Sequence, residues 1–304
     1  MDEAVQGPVL VLGATGLQGG CAARALLARG RAVRALVRNA EVPAALALRQ
    51  AGAELVVGTF NEPPSLLDAC QGAQGLFSMQ NAPFTDPNSE RREASNVVAA
   101  ARAAGVRHVV HTSVSGAGAF HRGMRGFEEG RWSRNYWDSK AFAEDAVRQA
   151  GFQHVTILRP AFMMENFLRP KSDFMFPDLA NHQIVTAIWP QTRLVLVSGG
   201  DVGLAAAAAF SDPARFDGAT IELAGDDCTM DEMARTLSAV SGQTIIAQSL
   251  PADQVIARGQ FPGWVNTQEW FNEVGYPAKR EDTSRFGLHT VDFATWSRDN
   301  AATL

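Results

Sequence analysis

Short apolar runs rich in β-branched residues recur through the first half of the chain, at 8–12, 32–37, 54–57, 75–77, 108–112 and 155–158. Between them lie Ala- and Leu-rich segments with helical spacing, at 17–29, 43–50, 65–70, 91–104 and 136–150. Strict alternation of this kind predicts a parallel sheet with helices on both faces. The strand runs are continuously apolar rather than alternating, as expected where both faces of a sheet are buried. The fold class that follows is α/β, a doubly wound parallel sheet of Rossmann type.

After Arg159-Pro160 the rhythm loosens. Residues 161–191 hold Pro170, Pro177 and Pro190 with several aromatics and read as a loop-rich cap. The run 194–210 returns to strand-then-helix order and is expected to rejoin the main sheet. Further on, Thr229 followed by Asp231 and Glu232 predicts a capped helix. Phe261, Trp264, Trp270, Phe271, Phe286 and Trp296 read as exposed aromatics of a smaller C-terminal substrate lobe. The organisation expected is a Rossmann domain over 1–160, with 194–224 returning to it, and a cap lobe over 161–193 and 225–304.

Composition removes several function classes. The 304 residues are 46% hydrophobic with a net charge of −5, which gives no electrostatic reason to expect nucleic acid or an anionic membrane. No apolar run reaches the ~18 residues of a membrane span, and a cytoplasmic location is the expectation. Cys21, Cys70 and Cys228 are far apart, the histidines form no HxH or HxxxH pair, and no metal is expected.

The segment VLVLGATGLQGG sets Gly13, Gly16 and Gly19 at GxxGxxG spacing between the first strand and the first helix. One glycine makes the turn, one lets backbone approach a pyrophosphate, and one packs helix on strand. The helix tip presents N–H groups and a positive dipole end to phosphate. Gly13, Ala14, Thr15, Gly16, Leu17, Gln18 and Gly19 are therefore cofactor-binding candidates. Sites for NAD carry an acid at the end of the second strand, to bond the ribose 2′-hydroxyl. Here the strand ends Val37-Arg38-Asn39, and the Arg38 guanidinium can fork onto a 2′-phosphate, with Arg34 as the alternative. NADP(H) is preferred over NAD(H).

Tyr136 and Lys140 stand at i,i+4 on one helix face, in a chain with only two tyrosines. A lysine so placed can lower a phenol's pKa and reach the cofactor ribose, and the phenol can protonate a carbonyl oxygen during hydride delivery. Ser113, with Thr112 or Ser115 as alternatives, is expected to orient the substrate oxygen. The Gly-rich loop 115–134 reads as a mobile lid. Phe120, Phe127, Trp132, Phe162 and the late tryptophans suggest an apolar or aromatic substrate, with packing of the smaller lobe as the alternative.

Taken together, GATGLQGG, the Arg38 strand end, YWDSK followed by Glu144, LRPAFMMENF, the DVG segment and GATIELAG resemble the NmrA-like branch of the atypical short-chain dehydrogenase/reductases. The resemblance implies an adenine-side pair at Thr59 and Phe60, where many relatives carry Asp at the first position. It also implies contacts from Gln80, Asn81 and Ala82, a ribose-side lysine at Lys140, and a nicotinamide side formed by Phe162, Met163, Met164 and Asn166. Some members of that branch reduce quinones, dyes, carbonyls or imines, while others sense NADP(H) and act through protein partners. An NADPH-dependent reductase is the expectation, and a non-catalytic NADP(H) sensor is the alternative.

Overall fold

The computed structural model describes residues 7–82 and 86–303. In chain order, the first stretch gives β1 (Val9–Val11), α1 (Leu17–Ala28), β2 (Val33–Val37), α2 (Pro43–Gln50), β3 (Glu54–Val57), α3 (Pro63–Cys70), β4 (Gly75–Ser78), α4 (Ser89–Ala103) and β5 (His108–Thr112). Next come α5 (Ala119–Gly123), α6 (Arg134–Gln149), β6 (His154–Pro160), β7 (Phe162–Met163), α7 (Lys171–Met175), β8 (Gln183–Thr186) and β9 (Leu194–Val197). The rest are α8 (Gly199–Ser211), α9 (Pro213–Phe216), β10 (Thr220–Leu223), β11 (Asp226–Cys228), α10 (Met230–Ser241), β12 (Ile246–Ser249), α11 (Ala252–Ala257), α12 (Pro262–Glu273), α13 (Arg280–Ser284) and α14 (Phe293–Asp299).

Seven strands form the main sheet in the order β10-β6-β5-β4-β1-β2-β3. From β3 to β6 all neighbours pair in parallel, as the alternating pattern requires. Element ends differ from the sequence expectation by one or two residues. The α3 helix starts at Pro63 because Pro63 and Pro64 fill its first turn, where a missing N–H breaks no helix bond.

The chain divides into two compact units, the first comprising 1–118, 134–159 and 199–221, the second 119–133, 160–198 and 222–304. Within the first, Leu10, Leu12, Leu36, Leu66, Leu76, Val97, Val109 and Ile157 make a buried aliphatic core. Its α8 approaches α1 so closely that a Cβ on Gly203 would fall 2.6 Å from the Cys21 backbone. Small residues in GGDVGLAAAAA make that approach possible.

The second unit corrects two expectations. Leu194–Val197 does not rejoin the main sheet; β9 pairs in parallel with β7 and antiparallel with β11 in a separate three-stranded sheet. An apolar run announces a strand, but its partners lie about thirty residues away on each side and leave no local mark. The late aromatics are mostly core: Trp264, Trp270, Phe271 and Trp296 are buried, Phe286 is half-buried, and only Phe261 stands out at 55% exposure. Stacking of Phe162 on Trp264, Phe167 on Phe176 and Phe293 on Trp296 fills that core. The capped helix is as expected: Thr229 and Glu232 form a reciprocal capping box on α10. Among the described residues, no helix is long and apolar enough to cross a membrane.

Segment 119–133 also packs within the second unit. Arg131 makes a two-pronged pair with Glu273 at 2.6 Å, and Trp132 Nε1 donates to Arg125 O. His121, Phe127 and Trp132 are buried.

Candidate functional site

The strand order reverses direction at β1, whose neighbours are β2 and β4, and the turn into α1 sits at that switch point. Each glycine of the turn has a measurable reason to be glycine. Gly13 has φ +59°, and a Cβ there would meet Met79 Sδ at 2.6 Å. Gly16 is the N-cap of α1; its N–H bonds Gly13 O at 2.8 Å, and a Cβ there would crowd that same oxygen at 3.2 Å. A Cβ on Gly19 would overlap the carbonyl oxygens of Leu12 and Gly13, which are backbone and cannot step aside. No side chain caps α1 and no acid sits in its first turn, so the helix tip keeps its positive end towards the turn. Ala14 is buried beneath it, Thr15 is exposed, and Gln18 accepts a hydrogen bond from Thr112 Oγ1 at 2.7 Å.

Two arginines of the second strand region have different fates. Arg34 is consumed by structure: its guanidinium bonds Glu54 at 2.8 Å, Ala69 O at 2.9 Å and Gln71 O at 2.6 Å. Arg38, just past the end of β2, is exposed and makes no ion pair among the described residues. A short turn follows it, in which Asn39 Oδ1 accepts from Glu41 N. Of the two, only Arg38 keeps its charge available.

Thr59 and Phe60 follow β3. Gly58 N still bonds Val37 O, Thr59 N bonds Ser65 Oγ, and Phe60 O accepts from Asn96 of α4 at 2.9 Å. Arg92 of α4 donates to Asn61 and pairs with Asp86. The turn is thus held from below by α4. After β4, Gln80 is 3% exposed; its amide nitrogen reaches Ser78 Oγ, and its Oε1 is buried with no partner. Asn81 is exposed and Ala82 half-buried.

Lys140 projects from α6 into this region. Its Nζ donates to Gln80 O at 3.3 Å and pairs with Glu90 Oε1 at 2.7 Å. Burial pushes the Glu90 carboxyl up, and the charge and hydrogen bond of Lys140 oppose that shift. Tyr136 is half-buried, edge-on to Trp137, with its ring centroid 5.8 Å from Lys140 Nζ. The i,i+4 spacing therefore brings the Lys140 amine over the Tyr136 ring.

The hydroxyls past β5 are largely turned inward. Thr112 is committed to Gln18, while the hydroxyl oxygens of Ser113, 7% exposed, and Ser115, fully buried, have no hydrogen-bond partner. Glu144 is buried in a two-pronged pair with Arg159, at 2.9 and 2.7 Å. Burial raises its pKa, but the hydrogen bonds and charge of Arg159, with the charge of Arg148, outweigh it and hold the carboxyl below its ordinary range. His111, beneath, bonds Ser78 Oγ at 3.2 Å, and burial pulls its imidazole down to about 4. Glu90, Ser78 and His111 carried no signal in the sequence; an acid in a helix's first turn reads as an ordinary dipole partner. Phe162, Met163, Met164 and Asn166 are buried in the second unit at β7 and the turn after it.

A parallel sheet in this order, with a glycine turn at its switch point, defines a Rossmann fold. The chain belongs to the NmrA-like family, whose model matches residues 6–292. It is 31% identical over 246 residues to (4-alkanoyl-5-oxo-2,5-dihydrofuran-3-yl)methyl phosphate reductase of Streptomyces griseus, covering 81% of this chain and 78% of that protein. It is also 31% identical over 173 residues to the NmrA-like family domain-containing oxidoreductase himF of Aspergillus japonicus; that match covers 55% of this chain and spans half of the relative's length. Among solved structures, Citrobacter sp. triphenylmethane reductase complexed with NADP(H) superposes with a TM-score of 0.77 at 24% identity, over 97% of this chain and 99% of that one. NmrA, a negative transcriptional regulator solved with NADP, gives 0.72 at 19% identity over 97% and 95%. These last two likenesses concern the fold.

Proposed function

We propose that the chain is an NADPH-dependent reductase of a small organic carbonyl or quinone. The reading is carried by one convergence within the first unit. An uncapped helix tip, the unengaged Arg38, and the Gln80–Lys140 contact all lie just past the carboxyl ends of β1, β2 and β4. The residues present suit a nicotinamide dinucleotide. Gly19 leaves no room for a side chain where backbone must come close, and Arg38 offers a fork to a 2′-phosphate without a competing acid. The orphaned Gln80 Oε1 awaits a donor. The cofactor supplies hydride when bound.

The chain's own residues then have separable tasks. Gly13 to Gly19 hold the pyrophosphate by backbone, Arg38 reads the 2′-phosphate, and Thr59 and Phe60 border the adenine. Gln80, Asn81 and Ala82 follow the dinucleotide along the end of β4, and Lys140 bonds a ribose hydroxyl. Tyr136 delivers the proton to the substrate oxygen. Ser113, whose buried hydroxyl oxygen has no hydrogen-bond partner, orients that substrate oxygen. Relatives that are reductases at about 30% identity support the class of reaction.

A substrate panel of quinones, aryl ketones and aldehydes at fixed NADPH tests the reading. Cofactor oxidation by wild type, reduced at least about tenfold in Tyr136→Phe, is the expected result. Tight NADPH binding with no turnover of any panel member counts for the sensor reading instead.

A further inference from the structure

Lys140 is 8% exposed and Glu90 is 1% exposed, on helices α6 and α4, fifty residues apart in sequence. A lysine on a flexible four-carbon stem has no preferred seat of its own, and an unpaired buried ammonium is costly. Glu90 Oε1 meets Nζ at 2.7 Å and Gln80 O accepts from it at 3.3 Å, so two of the ammonium's three N–H groups are spoken for. One remains to serve a ligand hydroxyl. The next residue of α4 repeats the grip: Arg91 Nε donates to Ser139 Oγ at 3.2 Å and its guanidinium lies over the Phe142 ring. The same helix holds the turn after β3 through Arg92 and Asn96.

We propose that Glu90 is the positioning residue that fixes the Lys140 amine, making it a hydrogen-bond donor of set direction. The inference rests on the reading of Lys140 as the ribose-side residue. Glu90 touches neither cofactor nor substrate; it acts through Lys140.

The chain has three lysines, Lys140, Lys171 and Lys279, and Lys279 is exposed. Competitive acylation with acetic anhydride, resolved by mass spectrometry, therefore reads Lys140 against Lys279 without any cofactor. Wild-type Lys140 is expected to react at least about tenfold more slowly than Lys279, since it is 8% exposed and its amine is engaged by Glu90 and Gln80 O. In Glu90→Gln that ratio should narrow about fivefold or more, with the circular dichroism spectrum retained. Glu90→Asp, which keeps the charge and loses reach, should fall between the two. Fluorescence titration with NADPH should show a Kd weaker by about five- to thirtyfold in Glu90→Gln. An unchanged acylation ratio in the folded variant overturns the proposal, as does a changed ratio with unchanged NADPH affinity. If Glu90→Gln does not fold, the same criterion applies to Glu90→Asp. If wild type binds no nicotinamide nucleotide, the cofactor reading falls, while the acylation ratio still decides whether Glu90 holds the amine.

Discussion

Leucine, valine and isoleucine fill the first unit, whereas Phe162, Phe167, Phe176, Trp264, Phe271 and Phe293 fill the second. In the first, a repeated strand–helix unit buries aliphatic runs, and the polar residues left over collect just past the strand ends. In the second, β7, β9 and β11 come from places about thirty residues apart, and aromatic rings close the space between them. The contrast bears on function. Aromatic content in the second unit reads in the sequence as a substrate pocket or as lobe packing, and Phe127, Trp132, Phe162 and Trp264 are core side chains. Chemistry is better sought in the polar strand ends of the first unit than in the ring count of the second.

The largest expected effect breaks the aromatic side of this contrast. Trp264 is buried, stacked on Phe162, and donates to Met175 O. Trp264→Ala should lower unfolding free energy by about 3–5 kcal/mol in urea titration. A loss below about 1 kcal/mol would mean that the rings do not carry the core.

On the aliphatic side, Gly19→Ala drives a Cβ into two backbone carbonyls. Affinity for NADPH should fall by roughly 3 kcal/mol, about a hundredfold, in a calorimetric titration. Retained affinity would put the pyrophosphate elsewhere.

The arginine pair sharpens the distinction between structure and site. Arg38→Ala should weaken NADPH by about 1.5–3 kcal/mol and leave NADH nearly unchanged, since only the 2′-phosphate is lost as a partner. Arg34→Ala, which strips two carbonyls and Glu54 of their donor, should cost stability while leaving the ratio of the two affinities alone. Should Arg34→Ala shift that ratio instead, the roles are reversed.

The last effect concerns acid. Burial is the main cause that lowers His108 and His111 to about 4, from about 6.5 when unfolded. Between those values the unfolded chain binds more protons, so stability is lost as pH falls through that window. The loss should reach up to about 2 kcal/mol per histidine near pH 5. His108→Gln with His111→Gln should flatten the difference in denaturation midpoint between pH 7 and pH 5, and an equally steep variant would place the acid sensitivity elsewhere.

Much of the first unit was legible because a strand buried on both faces and a helix starting at Gly, Pro or Asx leave local signatures. The period of the Tyr136–Lys140 pair and the spacing of the three glycines are likewise local, and the structure brings each set together. What escaped was non-local. The partners of β9, the Arg34–Glu54 bridge and the Glu90–Lys140 pair join residues twenty or more positions apart, and no periodicity encodes them.

Calorimetric titration of the purified chain with NADPH and with NADH, side by side, bears most directly on the cofactor reading. Binding of NADPH about tenfold or more tighter than NADH, with the difference erased in Arg38→Ala, is the result the account requires. Equal or tighter binding of NADH, or no heat from either nucleotide, contradicts it.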